Sequence, residues 1–350
     1  MFHILQMLHI YKKYMLEWDT MAKEKLCYVI PKYDTRSAEH FYHTYEFLEQ
    51  LGEEIELHVV VEKCNGKPEL KNAASVSCQR FSFFPVRLAE LVILLLRKRL
   101  AGCKRLYVHY SYLPAIFGSF VFRLTGGKTY YWHCGLPKEY FQKTMGDTLA
   151  NQLPFKLSLI LSSFLVTGTP RMAEYYSEEF EVKTSKILVV PNDISLARFD
   201  ITKKREEIRK ELDLSLKKML VTFVHRLSGR KGAHYLPKIV ELVAQERKDV
   251  FFVVIGSGPL KEKLETEIER KGLEEHVRIL GSKPNNEIPK YLAASDLFIM
   301  PSDEEGFPRV LLEAMASGIP FVASDVGGVM DIISTKEKKF VVRRGDIDSL

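Results

Sequence analysis

From Lys25 onward, apolar runs of strand length alternate with longer segments whose apolar residues recur at helical spacing. This is the pattern of a parallel sheet joined by crossover helices. In the first half the spacing predicts strands over 26–31, 55–61, 106–109 and 129–133, with helices over 40–51, 86–100 and 114–124. Gly52 and the pair Gly126, Gly127 supply stops. Residues 157–161 lead through 164–167 toward the edge of this sheet, and the domain closes near Val190. Pro191, Asn192 and Asp193 are turn chemistry, followed by a charged stretch over 203–211. A second series then predicts strands over 220–224, 250–255, 277–280, 297–301 and 321–324, with helices over 234–245, 260–271, 287–293 and 308–317.

The expected organisation is a tail or upstream start over 1–22, a first Rossmann-like domain over 23–190, a linker over 191–203 and a second Rossmann-like domain over 204–350. The 350-residue length fits two cores, and 46% hydrophobic with 27% charged residues excludes a disordered chain. No stretch reaches the roughly 18 to 20 continuous apolar residues of a membrane span. The nearest, 106–122, contains His109, Ser111, Pro114 and Gly118. The net charge of +6 favours anionic partners only mildly, and no basic run or aromatic RNA-reading motif points to nucleic acid. Five scattered cysteines without a Cys-x-x-Cys pair argue against a disulfide framework or zinc site and suggest a reducing, cytoplasmic setting.

Candidate chemistry gathers where predicted strands end. The loop His225-Arg226-Leu227-Ser228-Gly229-Arg230-Lys231-Gly232 presents cations at the carboxyl end of a strand, where they either hold phosphate oxygens or form a solvated basic loop. Gly256-Ser257-Gly258-Pro259 precedes a helix start, where glycine permits backbone approach to an anion. Lys261 and the absence of an acidic residue after the next strand weaken a dinucleotide reading.

In Glu305-Gly306-Phe307-Pro308, the loop passes into a helix carrying Glu313 and ended by Gly318. Eight helical positions would separate Glu305 and Glu313 by about 12 Å, too far for two carboxylates flanking one glycosidic bond. The two therefore have different tasks, and the apolar neighbours of Glu313 imply burial with a partner. Gly327-Gly328 is either a close-approach turn or a plain tight turn.

His133 stands at a strand end in the first half, as a structural or a catalytic histidine. Asp346 and Asp348 read as helix-start capping residues ahead of a last helix, and His40 with His43 as surface or packing residues; no metal site is expected. The helix over 86–100 holds six consecutive apolar residues, Leu91 to Leu96, which favour burial, while its basic end could touch anionic lipid.

Together these residues resemble the group 1 (family 4) retaining glycosyltransferases of the GT-B fold, most densely over 189–328. Glu305 to Glu313 looks like that family's Glu-x7-Glu motif. The resemblance implies an α/β architecture of two Rossmann-like domains whose parallel sheets face an interdomain cleft. It implies that Arg226 and Lys231 grip the donor diphosphate, that Gly256 and Gly258 allow its approach, and that Glu313 binds the ribose. Glu305 with main-chain groups of Gly306 and Phe307 would hold the sugar, the loop at Gly281 would border the base, and His133 would lie near the anomeric centre.

The implied reaction is metal-independent hexosyl transfer from a UDP- or GDP-linked sugar, without a cofactor, to a hydroxyl of a glycan, lipid or lipid-linked precursor. It would take place in the cytoplasm or at an anionic membrane surface. The chain departs from the family in the non-glycine loop Tyr33-Asp34-Thr35-Arg36-Ser37-Ala38-Glu39, in His225 for a usual Gly, and in Asp193. It also reaches Leu350 without the usual C-terminal crossover helices, so an incomplete second domain is expected. The rival readings are a GT-B-like sugar-nucleotide epimerase and a non-catalytic sugar-nucleotide-binding protein.

Overall fold

The computed structural model describes residues 24–34, 42–66, 68–135, 149–192 and 194–350. The tail over 1–22, His40, the loop positions 35–39 and Asp193 lie outside them. The chain divides into two compact units, Met1–Asp193 and Ile194–Leu350.

The first unit is built on strands β1 (Lys25–Ile30), β2 (Glu56–Val61), β3 (Ser75–Cys78), β4 (Arg105–His109), β5 (Lys128–Trp132), β6 (Phe164–Thr167) and β7 (Ile187–Val189). All neighbours are parallel, in the order β3-β2-β1-β4-β5-β6-β7. The helices are α1 (Tyr42–Glu54), α2 (Phe84–Leu100), α3 (Tyr112–Arg123), α4 (Leu149–Leu161) and α5 (Pro170–Phe180). β1 and β2 are buried at every position after their first residue, because a parallel strand is covered on both faces and so is written as an unbroken apolar run.

The second unit follows α6 (Arg205–Glu211) with strands β8 (Met219–Val224), β9 (Val250–Ile255), β10 (Val277–Gly281), β11 (Leu297–Met300), β12 (Phe321–Ser324) and β13 (Val341–Val342). Their order is β10-β9-β8-β11-β12-β13, again parallel throughout. The connecting helices are α7 (Leu236–Glu246), α8 (Lys261–Arg270), α9 (Ile288–Ala294), α10 (Arg309–Ala316) and α11 (Val329–Ile332). Numbered within the unit this is the doubly wound order 3-2-1-4-5-6, whose direction reverses between β8 and β11. Ligands of such sheets bind outside the strand carboxyl ends at that reversal.

Several expectations need correction. Beyond β6 the first sheet carries one more strand than expected, β7, which pairs with it through Leu165, Val166 and Thr167. The segment 191–203 is not a free linker, since Phe199 is buried in the second unit's core with Ile208 and Leu214. At the other end of the second unit the Asp346 carboxylate accepts the Ser349 amide at 3.1 Å, the local contact of a capping residue.

A disulfide joins Cys64 to Cys78, with Cα atoms 6.0 Å apart, where none was expected. Cys27, Cys103 and Cys134 are buried and take no part in the disulfide, and burial pushes the Cys103 thiol up to about 11. The expected burial of Leu91–Leu96 holds only in part. Leu91 and Leu95 are buried, whereas Ile93 is 48% and Leu96 40% exposed.

Candidate active site

The reversal between β8 and β11 brings together two loops that are 70 residues or more apart in sequence. The first leaves β8 through His225 and Arg226 and reaches Lys231; the second leaves β11 through Pro301 and reaches Glu305. Arg230 contributes the backbone joint, its carbonyl accepting the amides of both Asp303 and Glu304 at 3.0 Å.

Glu305 is the hub. Its Oε2 accepts Lys231 Nζ at 2.8 Å, and its Oε1 accepts Ser302 Oγ at 2.9 Å and meets His225 Nε2 at 3.0 Å. His225 Nδ1 accepts the Arg226 amide at 2.9 Å, so the ring proton sits on Nε2, which donates to the carboxylate. Burial alone would push the Glu305 carboxyl up. Lys231 and His225 outweigh it and hold the group well below the usual carboxylate range. Beside it, the buried Glu304 takes Arg230 Nη2 at 2.6 Å, and Lys231 Nζ also donates to the Glu304 carbonyl at 3.2 Å. Tyr235 donates to Asp303 at 3.0 Å, and Arg344 Nε reaches the same carboxylate at 3.4 Å.

Two glycines make this close assembly possible. A Cβ on Gly256, at φ +139°, would lie 1.9 Å from the His225 carbonyl oxygen. One on Gly327, at φ +51°, would lie 1.8 Å from the Glu305 carbonyl oxygen. Both glycines are therefore needed to seat the loops that carry the charges.

Of the residues expected at a site in this half, Lys231 and Glu305 meet directly, and Arg226 is tied to them through His225. Gly281, at the end of β10, accepts the Gly256 amide at 2.9 Å, while Gly258 packs against the Leu227 carbonyl. Gly306 accepts the Gly328 amide at 2.9 Å, and Phe307 beside it is half-buried. Arg226 is exposed. Glu313 is half-buried on α10, with its carbonyl capped by Ser317 Oγ at 2.9 Å. The residues missed as participants are Ser302, Glu304 and Arg230, together with the positive contribution of His225. Three consecutive acids directly after a buried strand, Asp303 to Glu305, were the available signal.

In the first unit, His133 follows β5 and is ringed by Tyr110, Tyr131, Phe155 and Tyr176, with ring centroids 4.9 to 5.9 Å away. Its Nδ1 contacts Tyr176 Oη at 2.5 Å, and Tyr176 donates to the Gly135 carbonyl at 3.0 Å. With the single phenol proton on Gly135, Nδ1 is the donor and Nε2 keeps its lone pair. Burial pushes this imidazole down to about 3, so it is neutral near pH 7.

The Glu305 environment has a measurable consequence. The folded pKa lies below the unfolded value of 4.5, so the stability from this ionised group is complete above that pH and is lost as pH falls below it toward the depressed folded value. The difference in urea midpoint between wild type and Glu305→Gln should therefore narrow on going from neutral to strongly acidic buffer. A difference independent of pH would contradict the ion pair.

Residues 204–350 match the family model of glycosyl transferases group 1. The chain is 34% identical over 133 residues to the amylovoran biosynthesis glycosyltransferase AmsK of Erwinia amylovora, covering 36% of this chain and 33% of that protein. It is 30% identical over 176 residues to the UDP-Gal:alpha-D-GlcNAc-diphosphoundecaprenol alpha-1,3-galactosyltransferase of Escherichia coli, covering 49% and 45%. The chain spans between about a third and a half of the length of the curated relatives it matches. Among solved structures, Anabaena Alr3699/HepE in complex with UDP and glucose superposes with a TM-score of 0.72 at 18% identity, over 93% of this chain and 87% of that one. The two-unit α/β fold is that of the GT-B glycosyltransferases.

Proposed function

We propose, from the match of residues 204–350 to the group 1 glycosyl transferase family model, that the chain moves a hexosyl group from a UDP- or GDP-linked donor to an acceptor hydroxyl. In this reading the anomeric configuration is retained, no metal takes part, and the acceptor is a glycan, a lipid or a lipid-linked precursor. The Escherichia coli relative, named for a UDP-Gal donor and a diphosphoundecaprenol-linked acceptor, motivates the last choice.

The observation that carries the proposal is the pairing of half-buried Lys231 with buried Glu305 at the strand reversal, beside the exposed Arg226. As the glycosidic bond breaks, positive charge grows on the sugar and negative charge on the departing diphosphate, so cations fixed in advance lower the barrier. An ammonium has three N–H donors; Lys231 uses one on Glu305 and one on the Glu304 carbonyl, which leaves a third for a phosphate oxygen. Glu305 acts through Lys231 as a positioning residue, and Gly306 and Phe307 extend its loop toward the sugar. His133, neutral with Nε2 unprotonated, is suited to accept a hydrogen bond from a sugar or acceptor hydroxyl.

Glu313 is assigned to the ribose hydroxyls. Glu313→Gln should weaken nucleotide binding by about tenfold, in line with loss of a hydrogen bond to a charged acceptor. Calorimetric affinity equal to wild type would remove this role. The activity itself is tested by incubating the full chain with UDP- and GDP-sugars, with and without lipid-linked and free glycan acceptors, and following the anomeric proton by NMR. Acceptor-dependent product of unchanged anomeric configuration is expected. Donor rearranged without acceptor would instead identify an epimerase, and binding without turnover a sugar-nucleotide-binding protein.

A further inference from the structure

Helices α2, α3 and α4 connect β3 to β4, β4 to β5 and β5 to β6, all stepping the same way across the first sheet. Right-handed crossovers therefore place them in one layer on one face, and α3 packs against both α2 and α4. The outward side of such a layer is ordinarily polar. Here it is apolar along each helix. α2 exposes Val86, Ile93, Leu96 and Leu100, spaced as one helical stripe; α3 exposes Phe120, with Leu124 at its C-cap; α4 exposes Leu153, Leu157 and Ile160. Leu100 and Leu124 are 86% and 85% exposed, and the aromatic residues Phe81, Phe83 and Phe84 stand exposed where α2 begins. An apolar stripe repeated on three adjacent helices far exceeds the scattered exposed side chains of an ordinary surface.

The exposed charges on these helices, Arg97 and Arg123 among the described residues, are of one sign. The three helices contain a single carboxylate, Glu90, and it is occupied with the amides of Arg80 and Phe81. The exposed cations Arg97, Lys104, Arg123 and Lys128 lie at the end of the layer where Leu100 and Leu124 project. Lys186 reaches the same end through the Ile160 carbonyl, and Arg123 and Lys183 add to the effect of burial in lowering its pKa. No helix among the described residues is long and apolar enough to cross a bilayer. An apolar face with a basic collar and no span has the composition of a surface that lies on an anionic membrane.

We propose that the outer face of α2, α3 and α4 is a docking surface for an anionic lipid bilayer, with the helix-end side chains Leu100, Leu124 and Ile160 entering the acyl boundary and Arg97, Arg123 and Lys128 contacting headgroup phosphates. The inference is independent of the donor chemistry, which resides in the other unit. It is tested by vesicle flotation of the full chain, using phosphatidylcholine vesicles with and without phosphatidylglycerol.

Wild type should float with the anionic vesicles, less at high salt, and weakly with phosphatidylcholine alone. The triple variant Leu100→Ser, Leu124→Ser, Ile160→Ser and the triple variant Arg97→Glu, Arg123→Glu, Lys128→Glu should each lose at least about tenfold in partitioning. Every substituted position is exposed, so unchanged circular dichroism and melting temperature should accompany the loss. Failure of wild type to float with either vesicle, or equal flotation of the variants, would overturn the proposal. So would a dimer, seen by light scattering, that the apolar variant dissociates while wild type binds no vesicles, because the face would then join two copies of the chain.

Discussion

Lys231→Ala should lose about a hundredfold or more in kcat/KM and, at the same time, about 3 kcal/mol of folding stability. The two losses have one origin. Lys231 is the full positive charge paired with a carboxylate that is 5% exposed, and removing it leaves that charge in a poorly solvating interior with His225 and Ser302 as its donors among the described residues. In the proposed function the same ammonium also meets the departing diphosphate.

The double variant Lys231→Met, Glu305→Gln separates the two effects. With the charge removed from both partners, most of the stability should return, because a neutral pair carries no uncompensated ion. Transfer should remain at the Lys231→Ala level. Recovery of turnover along with stability would show that Lys231 matters only to the fold.

Arg226→Ala should show the opposite balance. The side chain is exposed, so stability should change by no more than about 0.5 kcal/mol, as at other surface positions. Transfer should still fall by about a hundredfold if the guanidinium contacts the diphosphate as charge develops there. Steady-state kinetics divide the possibilities further: a fall in kcat points to a contact made in the transition state, and a rise in KM alone to uniform donor binding. Unchanged kcat and KM would place Arg226 outside the site.

Much of the fold was legible because parallel strands are apolar runs bounded by glycine, proline or charge. β9 and β12 fall at their expected residues, and the other interior strands shift by one position at either end. β3 and β7 were not legible. They are the outermost strands of the first sheet and half-buried throughout: β3 interleaves serines with its apolar residues, and β7, though apolar, is only three residues long. The Cys64–Cys78 bond joins residues 14 apart on either side of a loop, a separation that carries no signature of its own.

The site was legible as separate pieces and not as a network. Cations after β8 and acids after β11 were each visible, but their meeting depends on those two strands being neighbours, a property of topology. His225 illustrates the difference: in sequence it is a bulky residue where the related family has glycine, whereas in the fold its Nε2 holds the carboxylate that anchors Lys231. The apolar run in α2 was readable too, but composition does not reveal which side of a helix lacks a neighbour.

The central claim is that the charged loops after β8 and β11 form the seat of a nucleoside diphosphate, and calorimetric titration of the full-length chain with UDP and GDP tests it most directly. The account predicts saturable one-to-one binding of at least one nucleotide to wild type, weakened about tenfold or more in Arg226→Ala, whose fold is intact. No binding of either nucleotide, or equal affinity in wild type and Arg226→Ala, would contradict it.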